Sequence, residues 1–282
     1  MPILVTGATG AVGRHLVDAL LDGDARVRAV SRKPADARLP DGVEVVGADL
    51  ADPSTITADL FDGVERMFVF PVEQGVDELV TAAIAGGVRT FVVLSSLAAA
   101  GEFPRDLGSV SNRHHAAVER AVTTRATDWT ILRPGTFANN LLSWARPIKA
   151  GLPVRAPYLR SAQAPIHEAD VADAAAAALL QDGHRARIYP LTGPRALTRT
   201  EQVAAVGRDI SLVEISPDEF RTDVGRFIPE DILAMLLDYW SDTVAEPDRV
   251  RSGVRELTGR AGRTLRQWAR DHHADFIDAR VH

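Results

Sequence analysis

The chain contains no cysteine. Disulfides, a thiolate nucleophile and cysteine-held metal sites are therefore excluded, and a reducing compartment is compatible. Long apolar runs are also missing. The N-terminal run covers only Ile3 to Val5, nothing approaches the ~18 residues of a membrane span, and the start lacks the basic region and cleavage site of a secretory signal. Nor is there an excess of positive charge: the formal net charge is −6, which leaves no electrostatic footprint for nucleic acid. His114 and His115 are adjacent, not one helical turn apart, so they cannot chelate together in that manner and no metal is expected. The expectation is a soluble, cytoplasmic protein, monomer or homodimer, with a small-molecule ligand and with no nucleic acid or membrane as partner.

What is present begins with PILVTGATGAVG at residues 2–13. Ile3, Leu4 and Val5 have the length and branching of a strand buried on both faces, and Val12, Leu16, Val17 and Leu20 then recur at helical spacing. Gly7, Gly10 and Gly13 lie where strand becomes helix. Glycine there permits a tight turn and a close approach of backbone to a pyrophosphate, which the free N–H groups of a helix start would receive. The next apolar strand, Ala25 to Val30, ends in Ser31-Arg32-Lys33, near the ~20-residue offset at which such a site reads the ribose. No acid stands there to accept from a 2′-hydroxyl. Two cations suit a 2′-phosphate, so NADP, as NADPH in preference to NADH, is the expected cofactor.

The alternation continues. Val43 to Val46 reads as a strand followed by a helix at Asp52-Pro53, Met67 to Phe70 as a strand, Val76 to Ala85 as a helix, Phe91 to Leu94 as a strand, 111–123 as a helix and Trp129 to Leu132 as a strand. Continuous apolar strands between helices imply a parallel sheet covered on both faces. The expected fold is α/β, a doubly wound parallel Rossmann sheet over residues 1–135, with a smaller, mainly helical C-terminal substrate lobe over 136–282. Residues 170–192 are expected to return to the Rossmann domain: Asp170 to Leu180 is an alanine-rich helix with Asp170 as N-cap, and Ile188 to Thr192 is a strand that Pro190 confines to a sheet edge. Thr198 with Glu201 and Ser216 with Glu219 are capping boxes that open later helices.

Several segments together resemble the NmrA-like group of atypical short-chain dehydrogenases, which includes NAD(P)H:quinone oxidoreductase-like proteins and non-enzymatic NADP-binding regulators. They are TGATGAVG at 6–13, SRK at 31–33, ADL at 48–50, LSS at 94–96, HAAVE at 115–119, WTILRPGTFANN at 129–140, DVADAA at 170–175 and, more diffusely, RTLRQWARDHHADF at 263–276. The resemblance implies that Thr6, Gly7, Thr9, Gly10, Ala11, Val12 and Gly13 hold the pyrophosphate and that Arg32 and Lys33 hold the 2′-phosphate. It implies further that Asp49 and Leu50 hold the adenine, that Phe70 and Pro71 line the channel, that Ser95 and Ser96 lie near the nicotinamide, and that Pro134, Gly135, Thr136 and Phe137 close over it.

Typical short-chain dehydrogenases carry a Tyr-x-x-x-Lys pair on the helix after the fifth strand. Aligned on Glu119, those positions here are Ser111 and His115. A serine hydroxyl has no titration near neutral pH, whereas a histidine does, so His115 is the candidate acid; the resemblance implies that it also hydrogen-bonds the nicotinamide ribose, and His167, just before a helix, is a second candidate acid. Phe137, Asn140, Trp144 and Tyr158 are the candidate walls of an apolar acceptor pocket. The expected activity is NADPH-dependent hydride transfer to a small conjugated acceptor such as a quinone, enone or iminium. A non-catalytic NADP(H) sensor is the alternative.

Overall fold

A computed structural model describes residues 1–72, 74–207 and 209–277. The chain runs β1 (Pro2–Val5), α1 (Ala11–Asp22), β2 (Arg26–Ser31), β3 (Glu44–Gly47), β4 (Arg66–Val69), α2 (Val76–Ala85), β5 (Thr90–Leu94), α3 (Val110–Thr123) and β6 (Asp128–Pro134). Then follow α4 (Ala145–Lys149), β7 (Val154–Ala156), β8 (Ala162–Gln163), α5 (Glu168–Leu180), β9 (Arg187–Leu191), β10 (Leu197–Thr198), α6 (Arg199–Val206) and β11 (Leu212–Glu214). Helices α7 (Pro217–Val224), α8 (Glu230–Ala245), α9 (Gly253–Thr258), α10 (Leu265–Asp271) and α11 (His273–Phe276) complete it. Residues 278–282 of the expected C-terminal helical stretch lie outside the described residues. None of the described helices is long and apolar enough to cross a membrane.

Seven strands form one parallel sheet in the order β3-β2-β1-β4-β5-β6-β9. The central strands β1, β4 and β5 are apolar over most of their length because both faces are covered. Ile3 and Val5 face a core shared with Leu16, Val17 and Leu20 of α1 and the alanines of α5, whereas Leu4 faces Leu79 and Val80 of α2 and Val118 and Val122 of α3. The alanine run of α5 lets that helix pack directly on α1. β9 forms the sheet edge, where the missing N–H of Pro190 is tolerated, and α9 packs on α5 and β9 although it lies far along the chain.

Two expectations are corrected. The helix expected after β3 is a pair of short 3₁₀ turns, Pro53–Thr55 and Ala58–Phe61. Asp52 does cap the first, accepting from Ser54 N–H at 3.0 Å, but the guanidinium of Arg28 on β2 then donates to the carbonyls of Asp59, Leu60 and Asp62 and takes acceptors that a longer helix would use. Nor is Asp170 the cap of α5. The helix starts earlier, its first-turn N–H of Ala169 donating to His167 Nδ1 at 3.1 Å, and Asp170 is fully buried inside, held by the backbone and guanidinium of Arg263, each at 2.6 Å.

A smaller lobe is made of α4, α6, α7, α8, α10, α11 and two short ribbons, β7 with β11 and β8 with β10. One of its cores gathers Leu141, Trp144, Val154, Val203, Leu265 and Trp268.

Candidate active site

At the point where the strand order reverses, between β1 and β4, the C-terminal strand ends open a crevice in which ligands of such sheets bind. The glycine turn fills its base. Gly7 has φ +66°, and a Cβ there would lie 2.8 Å from the ring of Phe70; at Gly13 a Cβ would lie 2.1 Å from the Gly7 carbonyl oxygen. So turn, helix and β4 end meet as closely as glycine permits. No side chain caps α1 and its first turn holds no acid, which leaves the N–H groups of Ala11 and Val12 without an internal partner among the described residues. That is the arrangement an anionic pyrophosphate completes, so these residues fit the group. Thr6 has a different job from the one expected: its buried hydroxyl donates to Phe68 O at 2.8 Å and accepts from Phe70 N–H at 2.7 Å, tying β1 to β4.

The end of β2 carries Arg32 and Lys33, both exposed and, among the described residues, in no ion pair. Arg14 on α1 braces this end. Its guanidinium donates to Thr9 O at 3.1 Å, Ala37 O at 3.0 Å and Arg38 O at 2.8 Å, fastening the loop after β2 to the glycine turn. Asp49, which follows β3, sits in a turn closed by Thr55, whose hydroxyl accepts from Asp49 N–H at 2.9 Å, and Leu50 next to it is half-buried.

On the other side of the switch point, Ser95 and Ser96 follow β5. Ser95 is buried with its hydroxyl turned down, donating to Glu119 of α3 at 2.5 Å, and the same carboxylate receives a two-pronged pair from Arg133 at 2.8 and 2.7 Å. Ser95 is therefore an anchor, not an open nicotinamide contact. Ser96 remains half-exposed, and its hydroxyl lies 3.4 Å from that of Ser111 in the first turn of α3. His115 follows one turn later on the same helix. Its Nδ1 is buried with no partner, and burial, with a contribution from His114, lowers its pKa to about 4. Too little imidazolium exists at neutral pH for it to serve as the acid foreseen from its residue type.

Across from these, Gly135 N–H donates to Leu191 O at 2.9 Å, and Thr136 donates from its hydroxyl to Tyr239 of α8 at 2.9 Å. Tyr239 in turn donates to Asp248 at 2.5 Å; burial, reinforced by that carboxylate, holds the phenol's pKa well above its usual value. Arg105 lies over the rings of Phe103 and Tyr239, at 4.1 and 5.3 Å, and pairs with Asp242 at 3.2 Å. Residues 134–137 are thereby fixed to α8.

Residues 7–182 match a family described as NAD(P)H-binding. The chain belongs to that family. It is 36% identical, over 97% of its own length and 99% of the relative's, to (4-alkanoyl-5-oxo-2,5-dihydrofuran-3-yl)methyl phosphate reductase of Streptomyces griseus. It is 32% identical, with coverage of 97% and 99%, to the NAD(P)H azoreductase of Xenophilus azovorans. Among solved structures, the NADPH-dependent quinone oxidoreductase of Escherichia coli in complex with NADPH superimposes with a TM-score of 0.80 at 23% identity, covering 96% of this chain and 99% of that one, a likeness of fold. The chain is an NAD(P)H-dependent oxidoreductase, which decides against the sensor alternative.

Other expected residues stand elsewhere. Trp144 is buried in the small-lobe core beside Val154 and Trp268. Phe137 packs against the main core and pairs through its backbone with Ile166. Asn140 is exposed on a 3₁₀ segment, and Tyr158 holds φ +55° in the loop after β7. His167 is 2% exposed, and both ring nitrogens are engaged, Nδ1 by Ala169 N–H and Nε2 by Asp271 at 3.1 Å. It caps a helix and pins the C-terminal segment, with no nitrogen left for a substrate. Tyr239, Arg105 and Arg14 had no local signal in the chain, because each acts through partners distant in sequence or through backbone carbonyls.

Proposed function

We propose that this enzyme passes a hydride from NADPH to a small, conjugated, electron-poor acceptor, and that the reaction needs no strong general acid. The observation that carries this reading is the pair Ser96 and Ser111, 3.4 Å apart, with His115 one turn away and uncharged. Neither hydroxyl is a competent acid at neutral pH, but both are donors that can stabilise charge on an acceptor oxygen. In this reading Arg32 and Lys33 supply the two cations for the 2′-phosphate, the N-terminus of α1 receives the pyrophosphate, and His115 hydrogen-bonds the nicotinamide ribose.

When bound, NADPH supplies the hydride. In an enone the β-carbon accepts it, the alkene electron pair moves onto the carbonyl oxygen, and a proton from solvent completes the α-carbon. The Ser96 and Ser111 hydroxyls donate to that oxygen while it carries charge, and the walls of the crevice orient the acceptor. The Streptomyces griseus relative is named for an alkene flanked by carbonyls on a phosphate ester, and the Xenophilus azovorans relative for azo reduction. Activated alkenes, quinones and azo compounds all take hydride without prior protonation.

The test is NADPH consumption followed by absorbance with a panel of quinones, doubly activated enones, azo dyes and simple saturated ketones. Turnover of the electron-poor acceptors is expected. Turnover confined to saturated ketones, or none with any acceptor despite NADPH binding, would refute the reading.

A further inference from the structure

Arg14 follows Gly13 on α1 and makes no ion pair among the described residues. Its guanidinium serves the backbone instead, and on two segments at once. Nε donates to Thr9 O in the glycine turn at 3.1 Å, while Nη1 donates to Arg38 O at 2.8 Å and Nη2 to Ala37 O at 3.0 Å in the loop after β2. A planar fork of donors fixes such a set of carbonyls in one geometry, which the single ammonium of a lysine does not. The loop held in this way is the one that carries Arg32 and Lys33. Its near end is tied down locally: the Ser31 hydroxyl accepts from Lys33 N–H at 3.1 Å, and Pro34 opens a 3₁₀ turn, Pro34–Asp36. Its far end depends on Arg14. Ala37 is buried there, and Arg38 holds φ +48°, a left-handed backbone that a residue with a side chain adopts only where its surroundings fix it. The hydrogen bond from Arg14 to the Arg38 carbonyl supplies that constraint.

One side chain thus joins the N-terminus of α1, which suits a pyrophosphate, to the loop whose exposed cations suit a 2′-phosphate. A nucleotide that carries both groups needs the two places at a fixed separation. Binding to a loop already held there avoids the cost of ordering it on contact, and that saving appears as affinity. A nucleotide without the 2′-phosphate makes no use of the loop's cations, so the strap does little for it. The consequence is selectivity and not affinity in general.

We infer that Arg14 is a positioning residue for cofactor choice: by strapping the loop after β2 to the glycine turn it holds Arg32 and Lys33 where a 2′-phosphate arrives, and so sets the preference for NADPH over NADH. This rests on the assignment of Arg32 and Lys33 to the 2′-phosphate and adds the residue through which that assignment becomes selective.

The experiment titrates NADPH and NADH calorimetrically into the wild type, Arg14→Met, Arg14→Lys, the double variant R32A/K33A and the triple variant R14M/R32A/K33A. R14M should weaken NADPH by about tenfold, the worth of ordering one or two long side chains in advance, and NADH by no more than about twofold. R14K keeps the charge but not the fork, and should behave like R14M. In the ligand-free protein, hydrogen exchange should quicken in R14M over peptides spanning 32–39 and stay at the wild-type rate in the sheet, a readout that involves no nucleotide. In the R32A/K33A background, R14M should bring no further loss of NADPH, because the cations it positions are gone. Equal losses of both nucleotides, full rescue by lysine, unchanged exchange over 32–39, or an additive loss in the triple variant each overturn the inference. The two readings fail separately. If R32A/K33A leaves the NADPH-to-NADH ratio unchanged, the 2′-phosphate assignment falls and the inference with it; if R32A/K33A abolishes the ratio and R14M keeps it, the assignment stands and the role of Arg14 alone is refuted.

Discussion

The hydroxyls of Ser96, at the end of β5, and Ser111, in the first turn of α3, face each other at 3.4 Å beside the cofactor crevice. In the resemblance drawn from the sequence, Ser111 holds the place of the catalytic tyrosine. Removal of a true general acid lowers rates by about 10²–10⁴-fold. If these serines only donate hydrogen bonds to a transient oxyanion, Ser111→Ala and Ser96→Ala should each lower kcat by about tenfold or less on quinones, with little solvent isotope effect on hydride transfer. Losses of a thousandfold with a large solvent isotope effect would make Ser111 a proton donor.

His115 should shape the pH dependence of stability rather than of catalysis. In the folded protein burial keeps its pKa at about 4, against 6.5 when exposed. Between these values the unfolded chain binds a proton that the folded chain refuses, so the stability contribution is full above about pH 6.5 and declines as pH falls toward 4. The total is on the order of 3 kcal/mol at 1.4 kcal/mol per unit. Urea titrations across this range should show the decline in the wild type and a flatter profile in His115→Asn. In assays on an acceptor that does not itself titrate, kcat should show no ionisation near 6.5; a bell centred there would mean that His115 cycles its proton.

The elements around the crevice were legible because each is short-range information: β1, β4 and β5 are continuous apolar runs, and the glycine turn is a local pattern with one geometric solution. In the small lobe only local signals were legible, such as the capping boxes that open α6 and α7, and not its tertiary arrangement. Its elements come from separated segments, and what fixes it are polar pairs across long stretches, such as Thr136 with Tyr239 and Glu168 with His272 at 2.6 Å, more than a hundred residues apart. Trp144 illustrates the same limit, because an aromatic in a loop-rich stretch has equal standing as pocket wall and as core until Trp268 is folded against it. The missing helix after β3 failed for a related reason: Arg28, on another strand, takes its carbonyls.

Arg32 and Lys33 stand exposed without carboxylate partners among the described residues, so their charge is available to a ligand. Arg32→Ala combined with Lys33→Ala should weaken NADPH by about 10- to 100-fold and NADH by little, since only the former carries the 2′-phosphate. Calorimetric titration of both nucleotides decides it. Equal losses would mean that these side chains support the loop and not the phosphate.

Gly13 tests the close approach at the base of the site. An added Cβ would lie 2.1 Å from the Gly7 carbonyl oxygen and 2.7 Å from Ala8 Cα, both backbone atoms that cannot swing away. Gly13→Ala should therefore destabilise the fold by ~1–3 kcal/mol, the usual range for overpacking, and weaken NADPH as the turn is pushed off α1. Gly63→Ala is the control for loss of a glycine as such, having left-handed φ +69° and nothing within 4 Å of the added carbon. If the two variants bind NADPH equally well, the close approach at Gly13 is not what shapes the anion site.

Glu119 binds three partners at once: the Ser95 hydroxyl from β5 and two donors of Arg133 from β6. It thereby fixes the face of α3 that carries Ser111 and His115 to the two strands beneath it. Glu119→Gln keeps the size but removes the charge, leaving the half-buried Arg133 uncompensated, and should lower stability by about 3 kcal/mol, the lower end for breaking a buried pair. Replacing both partners, Glu119→Leu with Arg133→Met, should recover much of that stability, since the cost lies in the orphaned cation and not in the loss of the pair. Activity should separate from stability in this double variant. With the tether from α3 to β5 gone, kcat should stay low even where the protein is folded and binds NADPH. Full recovery of kcat together with stability would show that α3 is positioned by its apolar face alone, through Val118 and Val122.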